Sequence, residues 1–256
     1  MHDAPPILFL HGAFVGPALW ERFVAPWFAA RGHPVAVPHL AKEAGSGARL
    51  RDYVRVARDA AAELGGAPIV VGHSLGGIVA QHLAAEGRVA GAVLVASPGP
   101  WGLGPSLWHM SARSRRALGA VMLTQIGAGG TIGVETARDM LFAPATPDAW
   151  IRDVIEVPEP ESPLALFDAM TWDLPMWPLA LSVPMLAVMG DRDAFVPVSD
   201  LWSIGLTYRA ETELIPDVAH GLPIDPAWKS LAWRINAWID ERGILARRNR
   251  RLALLA

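Results

Sequence analysis

A serine stands between small residues in Gly72-His73-Ser74-Leu75-Gly76, within the stretch IVVGHSLGGIVAQ at positions 69–81. The residues before it are apolar and β-branched, and an apolar run with helical character follows. The serine therefore falls at a predicted strand-to-helix junction. In that setting G-x-S-x-G has a chemical reading. The serine occupies a sharp, strained turn with its hydroxyl above the sheet, and glycines two before and two after let neighbouring backbone pass close by. The helix beneath offers free N–H groups and the positive end of its dipole to developing negative charge. The competing reading is a serine that only N-caps the helix. Five residues match by chance often; the placement after IVV and before GGIVAQHLAA gives the match its weight.

A serine hydroxyl is a poor nucleophile near neutral pH, so it needs a base, and the base needs an orienting group. For a nucleophile on such a turn the partners follow as an acid and then a histidine. His82, His109 and His220 are the histidines after Ser74. His82 lies on the helix behind the serine and is expected to face away. His109 falls in a segment without a strand signal. His220, in DVAHGLP, occupies a loop directly after the last predicted strand, where ligand chemistry collects in an open α/β sheet. It is the candidate base. Asp191 and Asp193, in MGDRDAFVP, both follow the preceding strand and are both candidates for the acid. Asp191, beside Gly190, suits the fixing of the turn through local backbone. No carboxylate follows the earlier strand in VASPGP. An oxyanion would be held by backbone N–H groups. Leu75 is one expected donor, and the loop HGAF supplies the other, with Ala13 first and Phe14 second. His11 is expected to brace that loop.

The elements that must position these groups are legible as a rhythm. PPILFLHG, PVAVPHL, PIVVGH, VAGAVLVAS, VPMLAVMG and AETELIP read as strands. Helices are predicted over 18–30, 50–64, 75–86, 199–206 and 227–241. Strands alternating with helices predict a mostly parallel, doubly wound sheet of about six strands with helices on both faces. Residues 98–182 break the rhythm. They carry no clear strand, and prolines and glycines divide them into short helical pieces, so a helical cap inserted before the penultimate strand is expected. Residues 1–97 and 183–256 form the expected core. GAGGTIG, inside the insertion, lacks a Gly-Lys-Ser/Thr ending and follows no strand, so a joint between helices is expected there and not a phosphate cradle.

These motifs, LHGAFVGPALW, GHSLGG, GDRDAFVP and AHGLP in that order, resemble the α/β-hydrolase fold superfamily over essentially the whole chain, most of all its small capped serine esterases. The resemblance implies that the acid is the aspartate three before the valine of GDRDAFVP, which is Asp193. It also implies an eight-stranded sheet; the first strand read here is the one ending in HG, so the first two strands of that sheet are expected to be missing. A serine at the nucleophile position disfavours dehalogenase or epoxide hydrolase chemistry of the usual type, which places aspartate there.

The expected activity is cleavage of carboxylic esters of small to medium apolar substrates by Ser74, His220 and Asp193. The same groups would serve lactone, thioester, amide or C–C bond hydrolysis, or cofactor-free haloperoxidase activity. A lyase or a ligand-binding protein is the alternative of another class. Tryptophans and methionines of the insertion suggest an apolar pocket, with Phe14, Trp101, Trp108, Met122, Trp172 and Leu222 as lining candidates. No metal or cofactor is expected, and the partner is a small-molecule substrate.

Composition narrows the field further. The chain has 256 residues, 52% hydrophobic and 18% charged, no cysteine and a net charge of −3. Thiolate chemistry and disulfides are excluded. Nucleic acid has no electrostatic case over the whole chain. No apolar run is long enough for a membrane span. The first residues lack the pattern of a signal peptide, so a cytoplasmic location is expected by default. ARRNRRLALLA, at the end, reads as a basic flexible tail over 246–256.

Overall fold

The computed structural model describes residues 4–173 and 183–243, without the side chains of Thr171 and Trp172; the basic segment 246–256 lies outside the described residues. The chain runs through β1 (Ile7–Leu10), α1 (Ala18–Glu21), α2 (Val24–Ala29), β2 (Val35–Ala36), α3 (Leu40–Ala44), α4 (Leu50–Glu63), β3 (Ile69–His73), α5 (Leu75–Ala85) and β4 (Gly91–Val95). The insertion follows, with α6 (Gly104–Arg113), α7 (Arg115–Gln125), α8 (Val134–Leu141), α9 (Asp148–Val154) and α10 (Pro163–Phe167). The chain then returns through β5 (Met185–Gly190), α11 (Val198–Tyr208), β6 (Glu211–Ile215) and α12 (Trp228–Glu241).

The six strands form one sheet in the order β2-β1-β3-β4-β5-β6, and every pairing is parallel. Strand alternation divides the core between the two faces. Leu8, Leu10, Val70, Leu94 and Ala187 pack against α4, α5 and α11. Ile7, Phe9, Val71, Val93 and Val188 pack against α1, α2 and α12. The helices answer with apolar stripes of helical period: Leu50, Tyr53, Val54 and Ala57 in α4, and Leu231, Ile235, Trp238 and Ile239 in α12. The direction of strand addition reverses between β1 and β3, since β2 lies outside β1 and the later strands extend the other way. An open α/β sheet leaves a crevice at such a switch, outside the carboxyl ends of its strands. Ser74 follows β3 and the HGAF loop follows β1, so both stand at that crevice.

Two predicted elements differ. The single helix over 18–30 is two short helices, broken where Phe23 adopts φ −137°. Pro26 cannot donate a helical N–H, and a restart at Val24 puts it in a first turn where none is needed. Phe23 then stacks between Trp150 and Trp228, with ring centroids 5.5 and 5.3 Å away. The strand in PVAVPHL shrinks to Val35–Ala36, because Pro38 ends its ability to pair. GAGGTIG contains a short 3₁₀ turn, Gly129–Thr131, between α7 and α8. No described helix is long and apolar enough to cross a membrane.

Candidate active site

Ser74 has φ 53° and ψ −121°, a strained conformation for a residue with a side chain. Its N–H donates to the Val95 carbonyl at 3.1 Å, which ties the turn to the neighbouring strand. The flanking glycines are there for close approach. A Cβ on Gly72 would lie 2.2 Å from the Gly76 carbonyl oxygen, and one on Gly76 would lie 2.4 Å from the His11 carbonyl oxygen. The turn therefore folds back on its own strand and under the β1 loop.

His220 and Asp193 meet across the ends of β6 and β5. His220 Nδ1 and Asp193 Oδ2 are 2.7 Å apart, and the Asp193 side chain is fully buried. Asp193 Oδ1 accepts the N–H groups of Phe195 and Val196, both at 2.8 Å. A carboxylate only accepts, so His220 Nδ1 carries the proton, and in a neutral ring Nε2 is left as a free acceptor. Asp191 lies elsewhere. It is exposed, and its Oδ1 accepts the N–H of Asp217 at 2.8 Å, so it secures the β6 loop and not a nearby turn. His109 Nε2 lies 3.3 Å from the Asp193 carbonyl oxygen, and His82 Nε2 lies 3.1 Å from that of Asp173. Both are anchors to backbone.

Ser74 and His220 line one cavity of about 490 Å³, together with Ala13, Phe14 and Leu75. Among the described residues no hydrogen bond joins the Ser74 hydroxyl to His220. Neither Ala13 nor Leu75 has its N–H bonded to another backbone group among the described residues. The β1 loop that carries Ala13 is held firmly. His11 Nε2 accepts the N–H of Leu40 at 3.0 Å, which leaves Nδ1–H to donate to the Gly12 carbonyl at 2.8 Å. Burial lowers the His11 pKa to about 4 and keeps the ring neutral. Phe14 has a left-handed φ of 65°, and its carbonyl accepts the N–H of Glu159 from the insertion at 3.2 Å.

The cavity walls correct part of the pocket expected from sequence. Phe14 and Met122 do line it. Trp101 and Trp108 do not; they are 55% and 74% exposed. At α6 the lining residues are Leu103, just before the helix, and Ser106, Leu107 and Met110 within it, a stripe of helical period, and Trp108 falls on the opposite side. Leu222 is buried in the core beneath the sheet, and its neighbours Gly221 and Ile224 reach the cavity instead. The Trp172 side chain lies outside the described residues. Much of the remaining lining is aliphatic, including Val121, Ile132, Met140 and Leu141.

Two buried groups at this site have no role in the sequence reading. His73 is 4% exposed, and its Nε2 lies 2.9 Å from the His220 carbonyl oxygen. Asp200 is 3% exposed and accepts the Gly99 N–H at 3.0 Å; burial pushes its pKa up to about 6. His73 directly precedes the serine in sequence, and no spacing rule says where its side chain goes.

The alpha/beta hydrolase family model matches residues 7–230. The chain belongs to the alpha/beta hydrolase family. None of the curated protein sequences compared matches it. Solved structures similar to it include a thermophilic esterase from Thermogutta terrifontis, at 20% identity and TM-score 0.70, covering 94% of this chain and 91% of the other. A pyrethroid hydrolase from Sphingobium faniae JZ-2 is 21% identical with TM-score 0.67, covering 92% and 97%. An extracellular alpha/beta-hydrolase from a Paenibacillus species is 17% identical with TM-score 0.66, covering 90% and 96%. At these identities the likeness is one of fold. Among the described residues no group of histidines and carboxylates is arranged to hold a metal ion.

Proposed function

We propose that this hydrolase cleaves carboxylic esters of small to medium apolar substrates through an acyl-enzyme on Ser74. The observation that carries this reading is the buried Asp193–His220 pair at 2.7 Å, opening with the strained Ser74 onto a single largely apolar cavity. Ser74 Oγ attacks the ester carbonyl carbon while His220 Nε2 takes its proton. The oxyanion is held by the N–H groups of Ala13 and Leu75. The imidazolium then gives its proton to the departing alkoxide. Water repeats the sequence on the acyl-enzyme and releases the acid. Asp193 keeps the proton on Nδ1 and stabilises the imidazolium. Residues 98–182 act as a cap that supplies the apolar walls.

The test is covalent labelling by a fluorophosphonate, read by mass spectrometry, beside hydrolysis of p-nitrophenyl esters. Wild type should be labelled at Ser74 and should turn over apolar acyl esters. Ser74→Ala should lose the label and about 10³-fold or more of the hydrolytic rate while keeping its melting temperature. Retention of more than a tenth of the wild-type rate would reassign the nucleophile.

A further inference from the structure

We propose that His73 is a positioning residue for His220: its ring N–H fixes the backbone of the His220 loop relative to the Ser74 turn. The proposal rests on the reading of Ser74 and His220 above. His73 is the last residue of β3 and directly precedes Ser74, so its Cα moves with the strained turn. Strand alternation puts it on the same face as Ile69 and Val71, the face over which α1 packs. Its ring lies edge-on to Trp20, with centroids 6.4 Å apart.

On that face the His73 ring touches two other parts of the site. Its Nε2 is 2.9 Å from the His220 carbonyl oxygen, and the two rings have centroids 4.6 Å apart. The carbonyl only accepts, so the His73 proton is on Nε2 and Nδ1 is bare. Nδ1 is buried and has no hydrogen-bond partner, and a Cβ on Gly12 would come within 3.0 Å of it. One ring thus connects the end of β3, the loop after β1 and the loop after β6. Core packing alone does not ask for such a residue. A phenylalanine would fill the space without a bare buried nitrogen, and what the histidine adds is a single N–H aimed at the backbone of His220. Burial holds His73 neutral, which also spares His220 a second positive charge in ring contact as it takes up the serine proton. The bond to His220 passes through its main chain. It leaves Nδ1 to Asp193 and Nε2 to Ser74.

The test compares His73→Gln, which keeps an N–H donor, with His73→Phe, which keeps bulk alone. Each is assayed for kcat and KM on a p-nitrophenyl ester and for fluorophosphonate labelling rate, with melting curves alongside. His73→Phe should lower kcat and the labelling rate together by about 10- to 100-fold, with KM within threefold. His73→Gln should recover most of that loss. Equal losses in both variants, or no loss in either, would overturn the proposal. Should either variant fail to fold, nitrogen-15 spectra of histidine-labelled wild type decide the matter. The proposal requires a neutral His73 with its proton on Nε2, and a proton on Nδ1 overturns it. Absence of labelling in wild type would count against the Ser74 reading instead, while the spectra would still report on the His73 bond.

Discussion

Replacement of Asp193 by asparagine has an outcome that follows from three distances. Oδ1 accepts two backbone N–H groups at 2.8 Å, and Oδ2 faces His220 Nδ1 at 2.7 Å. An amide in this place has one orientation. Its oxygen must stay with Phe195 and Val196, because the reverse would set an NH₂ against two donors. The NH₂ then faces His220 Nδ1 and needs an acceptor there. Nδ1 becomes one only if the ring proton moves to Nε2. That nitrogen can no longer take the serine proton. We expect kcat to fall by about 10³- to 10⁴-fold, or about 4–5.5 kcal/mol in the barrier at 1.36 kcal/mol per decade. Shape and both backbone hydrogen bonds survive, so KM and the melting temperature should change little. Asp193→Ala is the contrast. It strands the N–H groups of half-buried Phe195 and buried Val196, at up to about 1–3 kcal/mol each, and should lower stability as well. Asp191→Asn is the control. It keeps an oxygen for the Asp217 N–H at the exposed loop and should retain most of the activity, with at most a modest loss of thermal stability. Steady-state kinetics and melting curves on the three purified variants settle it. Asp193→Asn with more than a tenth of wild-type kcat, or Asp191→Asn folded but inactive, would refute the reasoning.

Close backbone packing at the Ser74 turn and two buried ionisable groups have further measurable consequences. Gly76→Ala places a Cβ 2.4 and 2.5 Å from the carbonyl oxygens of His11 and Leu10, both main-chain atoms; it should cost at least about 2 kcal/mol in urea unfolding and displace the β1 loop, and a variant of wild-type stability would disprove the contact. Stability should also depend on pH through two opposed groups. His11, lowered to about 4, loses its stabilising contribution as pH falls from about 6.5 towards 4, since only the unfolded chain takes up the proton there. Asp200, raised to about 6, contributes stability at low pH that is lost as pH rises from about 4 to 6. Asp200→Asn, which still offers Gly99 an oxygen, should therefore steepen the rise of stability between pH 4 and 6; an unchanged or shallower slope in urea titrations would contradict it.

The parts of the site that were legible in the sequence are those tied to strand ends. A short apolar run marks a buried parallel strand, and the residue just past it stands at the carboxyl edge of the sheet, where Ser74, Asp193, His220 and Ala13 all lie. The glycines around Ser74 were legible for the same reason, since close backbone approach leaves no other residue. The choice of Asp193 over Asp191 required the family resemblance, because both follow β5 and only the fold of DRDAFV says which carboxylate turns inward. What composition could not give was direction. A tryptophan count suggests aromatic walls, yet Trp108 falls on the side of α6 opposite the stripe that faces the cavity. Nor could local periodicity anticipate that Pro26 would restart a helix so that Phe23 could stack between two tryptophans distant in sequence. Tertiary packing decided both.

The arrangement separates what places the candidate catalytic groups from what shapes the space in front of them. Ser74, Asp193 and His220 each hang from the end of a strand and are held there by bonds within the sheet region: Ser74 by Val95, Asp193 by Phe195 and Val196, His220 by Asp193 and His73. Most of the cavity wall comes instead from the insertion between β4 and β5. That insertion is fastened to the sheet domain by polar links at its margins. Glu159 donates to Phe14, Gly221 to Leu141, and the Ser162 hydroxyl to Ala48, at 3.2, 2.8 and 2.6 Å. Arg49 adds an ion pair to buried Asp168, and its guanidinium holds that carboxyl below the usual range. The link at Phe14 ends in the loop that carries Ala13, and the link at Gly221 ends beside His220. A shift of the insertion would therefore reach the Ala13 loop and His220 through main-chain hydrogen bonds before it reached Ser74, whose own anchor lies within the sheet.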